Sequence, residues 1–313
     1  MGGAGEGRHL AGTLRRGLWS AAVGMKATLI VNPISGRGRG ERAARLLREG
    51  LESGGFAVET RVTHRKGEAR EWAAQANGTT SLLVGIGGDG TLNEIANGLG
   101  DRTIPIGVVP TGTSNVLALD LGLPRSVEGA LRAMLAGKTA PIDAARVNGR
   151  LSFFCVGVGF DAMVLQELER RRRGAIRRST YLPAVARALA RYRAPRLVVE
   201  ADGERIEGIS AAIVSNLFYY GGRFFGLARD RRVDDGLYEA FLFRGASRLA
   251  LVRHGLRAMA RRLKPGPSLE IRRVRRVRIE SEDPVPYQVD GDLAGSTPVE
   301  IEVLPRRLRL VVP

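Results

Sequence analysis

The stretch Ser81-Leu-Leu-Val-Gly-Ile-Gly-Gly-Asp-Gly-Thr-Leu-Asn-Glu-Ile-Ala-Asn-Gly-Leu99 constrains the fold more than any other part of the chain. It opens as an apolar run, Leu82 to Ile86, the length of a buried strand. A glycine-rich turn follows, Gly87-Gly88-Asp89-Gly90-Thr91. Leu92, Ile95, Ala96 and Leu99 then recur at i, i+3, i+4 and i+7, the apolar stripe of a helix. The order is strand, glycine loop, helix. Glycines turn the backbone sharply and let a ligand approach main-chain N–H groups. The unpaired N–H groups at the helix start favour an anion there. The segment predicts a phosphate cradle.

Two other readings fit less well. Asp89-Gly90 is a hairpin signal, but a hairpin needs a second strand, and a helical pattern follows. Gly85 to Gly90 also fits the G-x-G-x-x-G spacing of dinucleotide folds. That fingerprint normally sits in the first strand–helix unit of its domain, and here at least two strands precede it.

Around this centre the sequence alternates strands and helices. Ala27–Val31 predicts a strand stopped by Asn32-Pro33, and a Gly/Arg loop runs from Ile34 to Gly40. The helix after it turns Ala43, Leu46, Leu47 and Leu51 inward. Phe56 to Val62 alternates as a strand, and Glu68–Ala76 reads as a helix with Trp72, Ala73 and Ala76 inward. Beyond the central unit, Ile104–Val109 is a strand leading to Pro110-Thr111-Gly112-Thr113. Val116, Leu117 and Leu121 mark a helix, and Ser126 caps another over Val127–Ala136. Such alternation predicts a parallel sheet covered on both faces, with ligands beyond the C-terminal strand ends. The loops at Asn32, Gly87 and Pro110 all lie at such ends and converge on one crevice. Gly137-Lys138-Thr139 imitates the end of a Walker A loop, but Arg132 stands where its first glycine belongs, so the triplet is read as a helix C-terminus.

After Asp143 the pattern changes. Ala144–Val147, Asn148-Gly149 and Leu151–Val158 form a strong hairpin signal. Further strands are expected at 196–201, 209–216, 237–243, 274–280, 287–289, 299–303 and 308–312, with turns at Asp202-Gly203, Asp235-Gly236 and Asp290-Gly291. Helical interruptions fall around 162–191 and 247–263. The expected organisation is a mobile extension over 1–24, an α/β domain over 25–143 and a β-rich domain over 144–313.

Composition narrows the function classes. With 313 residues and 44% hydrophobic content, two cores can be buried. No apolar run approaches the ~18 residues of a membrane span. A single cysteine, Cys155, excludes a disulfide framework and a cysteine-based zinc site, and points to a reducing compartment. His9, His64 and His254 are too scattered for a metal cluster. The net charge of +17 suits anionic partners.

Gly87-Gly88-Asp89-Gly90-Thr91-Leu92-Asn93-Glu94 resembles the hallmark of the diacylglycerol kinase catalytic family, which includes sphingosine kinases and bacterial lipid kinases. Asn32-Pro33-Ile34-Ser35-Gly36 and Pro110-Thr111-Gly112-Thr113-Ser114-Asn115 match further segments in order, and Gln288-Val289-Asp290-Gly291-Asp292 matches more weakly. GGDGT alone also occurs in NAD kinases; the Asn-Pro-x-Ser-Gly segment makes the combination more specific. The resemblance implies an α/β fold: an N-terminal parallel-sheet nucleotide-binding domain of NAD kinase or diacylglycerol kinase type, a C-terminal β-sandwich, and an end that returns to the first domain.

The resemblance also implies site roles. Asn32, Pro33, Ile34, Ser35, Gly36, Thr63, Gly88, Asp89, Gly90, Thr91, Leu92, Asn93, Glu94 and Thr113 would line an ATP site. Asn93 and Glu94 lie on the polar side of their helix, opposite Leu92 and Ile95. Asp89 would handle phosphate-bound Mg²⁺, because a carboxylate beside phosphate needs a cation between them. Asp290 would be the catalytic base, since a carboxylate within reach can take a hydroxyl proton. Spacing alone reads Asp290 as a hairpin Asp-Gly. Where family members often carry glutamate, this chain has Asp292. Arg232-Arg-Val-Asp-Asp-Gly-Leu237 resembles a structural Mg²⁺ segment of bacterial members, with the Asp235 carboxylate and main-chain oxygens of Arg232 and Leu237 as ligands; a plain turn fits equally.

Two arginine-rich stretches remain. Arg170, Arg171, Arg172, Arg173, Arg177 and Arg178 suit an anionic membrane surface. Arg272 to Arg278 alternates arginine with valine, like a strand with one solvated face. Aromatic residues, at 5%, are too sparse to expect nucleic-acid stacking. The expectation is an ATP- and Mg²⁺-dependent kinase of a lipid hydroxyl, feeding phospholipid metabolism. It would be cytoplasmic and peripheral at the inner membrane face, with a lipid substrate and with a homodimer allowed. Alternatives are an NAD kinase-like kinase of a soluble acceptor and a basic nucleotide-binding regulator without turnover.

Overall fold

The computed structural model describes residues 24–313 apart from 37, 77, 171–177, 222–224, 228–231 and 246, and omits the side chains of 178–180. The expectation for 1–24 therefore lies outside the described residues except at Gly24. So does the arginine run, apart from Arg170, which pairs with Glu167 at 3.3 Å.

The first half alternates as the periodicity predicts: β1 (Met25–Val31), α1 (Arg39–Ser53), β2 (Phe56–Val62), α2 (Glu68–Gln75), β3 (Thr80–Gly87), α3 (Asp89–Gly98), β4 (Ile106–Pro110), α4 (Val116–Asp120) and α5 (Val127–Ala136). The strands pair in parallel in the order β2-β1-β3-β4. Leu29, Val31, Leu82, Val84 and Ile86 face α1 and α5; Ile30 and Leu83 face α2 and α3. Alternate side chains thus feed two cores, one on each face of the sheet. Gly85 lets α3 lie close on β3, since a Cβ there would stand 2.7 Å from Leu92 Cδ2. Ser126 caps α5 by accepting from the Gly129 N–H, and Gly137 ends that helix at φ 66°, so the Walker-like triplet is a helix terminus. Leu46, expected inward, is exposed; Leu47 and Leu51 carry the buried stripe.

The second half contains β5 (Thr139–Val147), β6 (Arg150–Ser152), β7 (Cys155–Val158), α6 (Phe160–Glu169), α7 (Arg178–Arg191), β8 (Leu197–Ala201), β9 (Glu204–Ser215), β10 (Tyr219–Tyr220), β11 (Phe225–Gly226), β12 (Tyr238–Arg244), α8 (Arg248–Met259), β13 (Leu269–Val274), β14 (Arg276–Ser281), β15 (Pro286–Val289), β16 (Asp292–Ser296) and β17 (Val299–Val311). Its sheet folds around a core of Val156, Val199, Val214, Tyr238, Ile279 and Ile301, giving the β-sandwich. The single strand β17 joins the halves. It pairs antiparallel with β14 and β5 and, through Leu310 and Ile106, parallel with β4. Through this pair β17 lies beside the sheet of the first half.

The strands differ from expectation in several places: β5 and β9 start earlier, and β10, β11, most of β13 and β16 lie where no strand was expected. The run 151–158 breaks at Phe153-Phe154, whose N–H groups turn to the Asp290 carboxylate instead of a ladder. The run 274–280 breaks at Arg275, whose N–H donates to the Asp202 carboxylate. The two final strands are one, β17, with an irregularity between Leu304 and Leu308.

Candidate active site

The ends of β1, β3 and β4 meet, as their loops predict. Asn32 N–H donates to the Ile86 carbonyl at 2.9 Å, and its amide reaches Thr91 Oγ1 at 3.4 Å. Thr111 N–H donates to the Gly87 carbonyl at 2.9 Å, and its hydroxyl donates to Ser35 at 2.9 Å. Thr63 closes the fourth side, with N–H and hydroxyl both on the Val31 carbonyl. The loops touch backbone to backbone: a Cβ on Gly112 would stand 2.5 Å from Gly88 Cα, and one on Gly36 would stand 2.6 Å from the Thr111 oxygen. No side chain caps α3; the Thr91 and Leu92 N–H groups bond the Gly88 carbonyl, which leaves those of Asp89 and Gly90 at the helix start, beside exposed Thr113. Pro33 and Ile34 form the rim, Ile34 at 86% exposure. Uncapped donors among glycines fit a polyphosphate.

Leu92 and Glu94 turn to protein partners instead of the crevice, and Asn93 meets it only through Asp290. Leu92 is buried against Gly85. Both Glu94 oxygens cap α2, accepting from Gly67 N–H at 2.9 Å and Ala69 N–H at 3.2 Å. Asn93 is buried, donates to Asp290 and accepts from Asn97 at 3.1 Å and Arg150 at 3.3 Å. A polar helix face does not reveal whether its partner is ligand or protein.

Asp89 has a comparable partner. Its carboxylate accepts from Val116 N–H at 3.0 Å and Leu117 N–H at 3.4 Å, capping α4 and tying the glycine loop to the Pro110–Asn115 loop. Burial pushes this carboxyl up, the α4 N–H groups pull it down, and nearby Asp290 adds to the rise. Each of its oxygens thus holds one N–H group of α4.

Asp290 occupies the left-handed region at φ 54°, at the turn between β15 and β16. Oδ1 accepts from the Ser152 hydroxyl at 2.6 Å, Phe154 N–H at 3.1 Å and Cys155 N–H at 3.0 Å. Oδ2 accepts from Phe153 N–H at 3.2 Å and from Asn93, 197 positions away. Burial pushes the Asp290 carboxyl above the ordinary carboxylate value, while Ser152 and the three N–H groups pull it down. Asp290 is thus both a turn residue and one of the links between the two halves.

At the segment expected to hold Mg²⁺ the side chains pair with protein groups. Asp235 accepts from Leu237 N–H at 3.1 Å and is ion-paired with Arg273, while Arg232 pairs with Asp234 at 3.2 Å. Among the described residues no three acidic, histidine or cysteine side chains are placed to share an ion.

Comparison with known proteins assigns this arrangement to a family. Residues 26–147 match the model of the diacylglycerol kinase catalytic domain, and residues 154–312 match that of the YegS C-terminal NAD kinase beta sandwich-like domain. The chain belongs to the diacylglycerol kinase catalytic-domain family. It is 26% identical over 292 residues to a diacylglycerol kinase of Bacillus subtilis, spanning 92% of this chain and 96% of that protein. A diacylglycerol kinase of Staphylococcus aureus is also 26% identical, over 92% of each chain. A crystal structure of a diacylglycerol kinase from Bacillus anthracis superposes with a TM-score of 0.72 at 21% identity, covering 92% of this chain and 97% of that one. The fold is therefore that of a diacylglycerol kinase, and membership places the chain among kinase-type phosphotransferases.

Several side chains at this diacylglycerol kinase-like site escaped the motifs. Arg150 bridges Asn93 and Asp292, the latter at 3.4 Å, and Lys66 reaches Asp292 at 3.1 Å. Asp292, in the position where the family often has glutamate, thus sits in a basic mouth. Ser152 and Asp161 were also missed. Asp161 lies against Gly157, is bonded by Tyr220 and Gln288, and leaves its buried Oδ2 without a partner; burial pushes its carboxyl up. The hairpin at Asn148-Gly149 was a usable signal for Arg150 and Ser152, since it returns the chain beside α3.

Proposed function

We propose that this chain is an ATP-dependent lipid kinase that phosphorylates the hydroxyl of diacylglycerol or a related lipid. One observation carries the reading. Asp290, from the far domain, is held against Asn93 on the helix that opens at the glycine loop. A proton acceptor and a polyphosphate cradle thereby share one crevice, as transfer to a hydroxyl needs. The identity with two named diacylglycerol kinases across nearly the whole chain supports a lipid acceptor.

ATP, when bound, supplies the γ-phosphoryl. The loops after β1, β3 and β4 orient its phosphates through backbone donors and pre-arranged glycines. Asp290 accepts the proton of the acceptor hydroxyl as that oxygen forms its bond to phosphorus and the bond to the leaving diphosphate breaks. Five donors already crowd Asp290, so the incoming hydroxyl takes the place of one. Arg150 and Lys66 bring positive charge to the mouth where anionic groups enter.

No helix among the described residues is long and apolar enough to cross a membrane. The reading places the enzyme at a membrane face reversibly, within phospholipid metabolism. The test compares phosphoryl transfer from ATP to diacylglycerol in mixed micelles with transfer to NAD. Phosphorylated lipid is expected. Phosphorylated NAD alone would move the chain to the soluble-acceptor class, and ATP binding with no phosphorylated acceptor would make it a regulator.

A further inference from the structure

Helix α8 has two apolar faces. Leu251, His254 and Ala258 are buried against the sheet. Leu249, Val252, Leu256 and Met259 are exposed at 78%, 40%, 61% and 54%. At about 100° per residue these four fall within roughly 80° of one another, on the side opposite the buried three. Exposed apolar residues scattered singly need no explanation, but four in one stripe mark a contact surface.

Arginines flank that stripe. Arg253 and Arg257 follow one edge and Arg248 the other, and Arg261 and Arg262 continue beyond the helix; all five are exposed. None forms an ion pair among the described residues. Arg248 donates to the Tyr192 carbonyl, Arg253 to Ser268, and Arg261 lies over Tyr219. No Asp or Glu occurs between Glu239 and Glu270. A second copy laid across this face would set arginine against arginine. Four apolar side chains also fall well short of the roughly 20 residues a side of an ordinary protein interface. An apolar strip edged by arginine instead matches a bilayer with anionic headgroups, where the strip enters the acyl boundary and the guanidinium groups meet phosphates.

The position suits the reaction. The cluster beneath α8 extends to Phe160 and Tyr220. Tyr220 bonds Asp161, which lies against β7, the strand whose first N–H holds Asp290. We propose that the outer face of α8 is the membrane-docking surface of this protein, seating it on anionic lipid with its acceptor site toward the bilayer. The inference rests on the lipid-kinase reading.

The test is co-sedimentation of the full chain with phosphatidylglycerol-rich or pure phosphatidylcholine vesicles, alongside phosphorylation of vesicle-borne and water-soluble short-chain diacylglycerol. Wild type should prefer phosphatidylglycerol and be released by salt. Full burial of one leucine corresponds to roughly a ten- to hundredfold change in partitioning. Leu249→Ser with Leu256→Ser should therefore weaken vesicle binding by about tenfold or more and spare the short-chain substrate. Arg253→Gln with Arg257→Gln should remove the phosphatidylglycerol preference. Unchanged vesicle binding in the leucine variant, no binding by wild type, or equal loss on both substrates would overturn the proposal. So would a change from dimer to monomer with vesicle binding intact, which would make the stripe a contact between copies. If vesicle binding responds as stated but no acceptor is phosphorylated, the docking surface stands and the kinase reading fails. If the short-chain lipid is phosphorylated while the vesicle result fails, the reverse holds.

Discussion

At Asp290 the backbone bends to serve one side chain. Phe153, Phe154 and Cys155 present successive N–H groups to its carboxylate, which interrupts the strand they belong to. Asp290→Asn would keep the shape and remove the proton acceptor. It should lower kcat by roughly a hundred- to ten-thousandfold with little change in ATP affinity. Steady-state kinetics with ATP and acceptor varied separately checks this; wild-type kcat with poor ATP affinity would move Asp290 to the nucleotide site. Ser152 gives a prediction in pH. Its hydroxyl lowers the Asp290 carboxyl, whose net shift is upward through burial. A base works only when ionised, above its own pKa. Removing a donor to the ionised form raises that pKa, so Ser152→Ala should move the acid limb of the kcat/KM profile to higher pH. A limb that stays in place, or moves down, would remove Asp290 from the titration.

The elements were legible where periodicity alone decides them, and less so where one side chain commandeers the backbone. Leu82–Ile86 followed by Leu92, Ile95 and Leu99 can only be a strand feeding a helix, and the three-loop crevice follows from repeating that unit. The breaks at Phe153 and Arg275 come from the carboxylates of Asp290 and Asp202, distant in sequence, and a local pattern carries no trace of them. The same holds for Glu94 and Asn93, whose helix face was read correctly while their partners, α2 and Asp290, were not. Within the crevice the close approach of Gly88 and Gly112 is a packing requirement. Gly112→Ala would place a Cβ 2.5 Å from Gly88 Cα, against backbone that cannot rotate away. It should cost about 1–3 kcal/mol and weaken ATP binding. Thermal unfolding and a nucleotide titration measure the two effects; normal values for both would show that the loops are free to separate.

Across the whole molecule, β17 and Asp290 bind two cores into one unit. Leu310 is buried in the first core, while Val299 and Ile301 of the same strand lie in the second. Leu310→Ala should cost about 2–5 kcal/mol, and fluorescence and circular dichroism should report one coincident transition at lower denaturant. Two separated transitions would mean that each half folds alone.

This strand also sets an order of events in the cell. Residues 299–311 leave the ribosome after everything they hold together. Until they arrive, β4 has finished its own α/β unit with one edge bare, and a bare strand edge recruits whatever extended chain is nearby. The α/β half is made first but completed last. Until β17 is in place, that bare β4 edge is open to pairing with other extended chain.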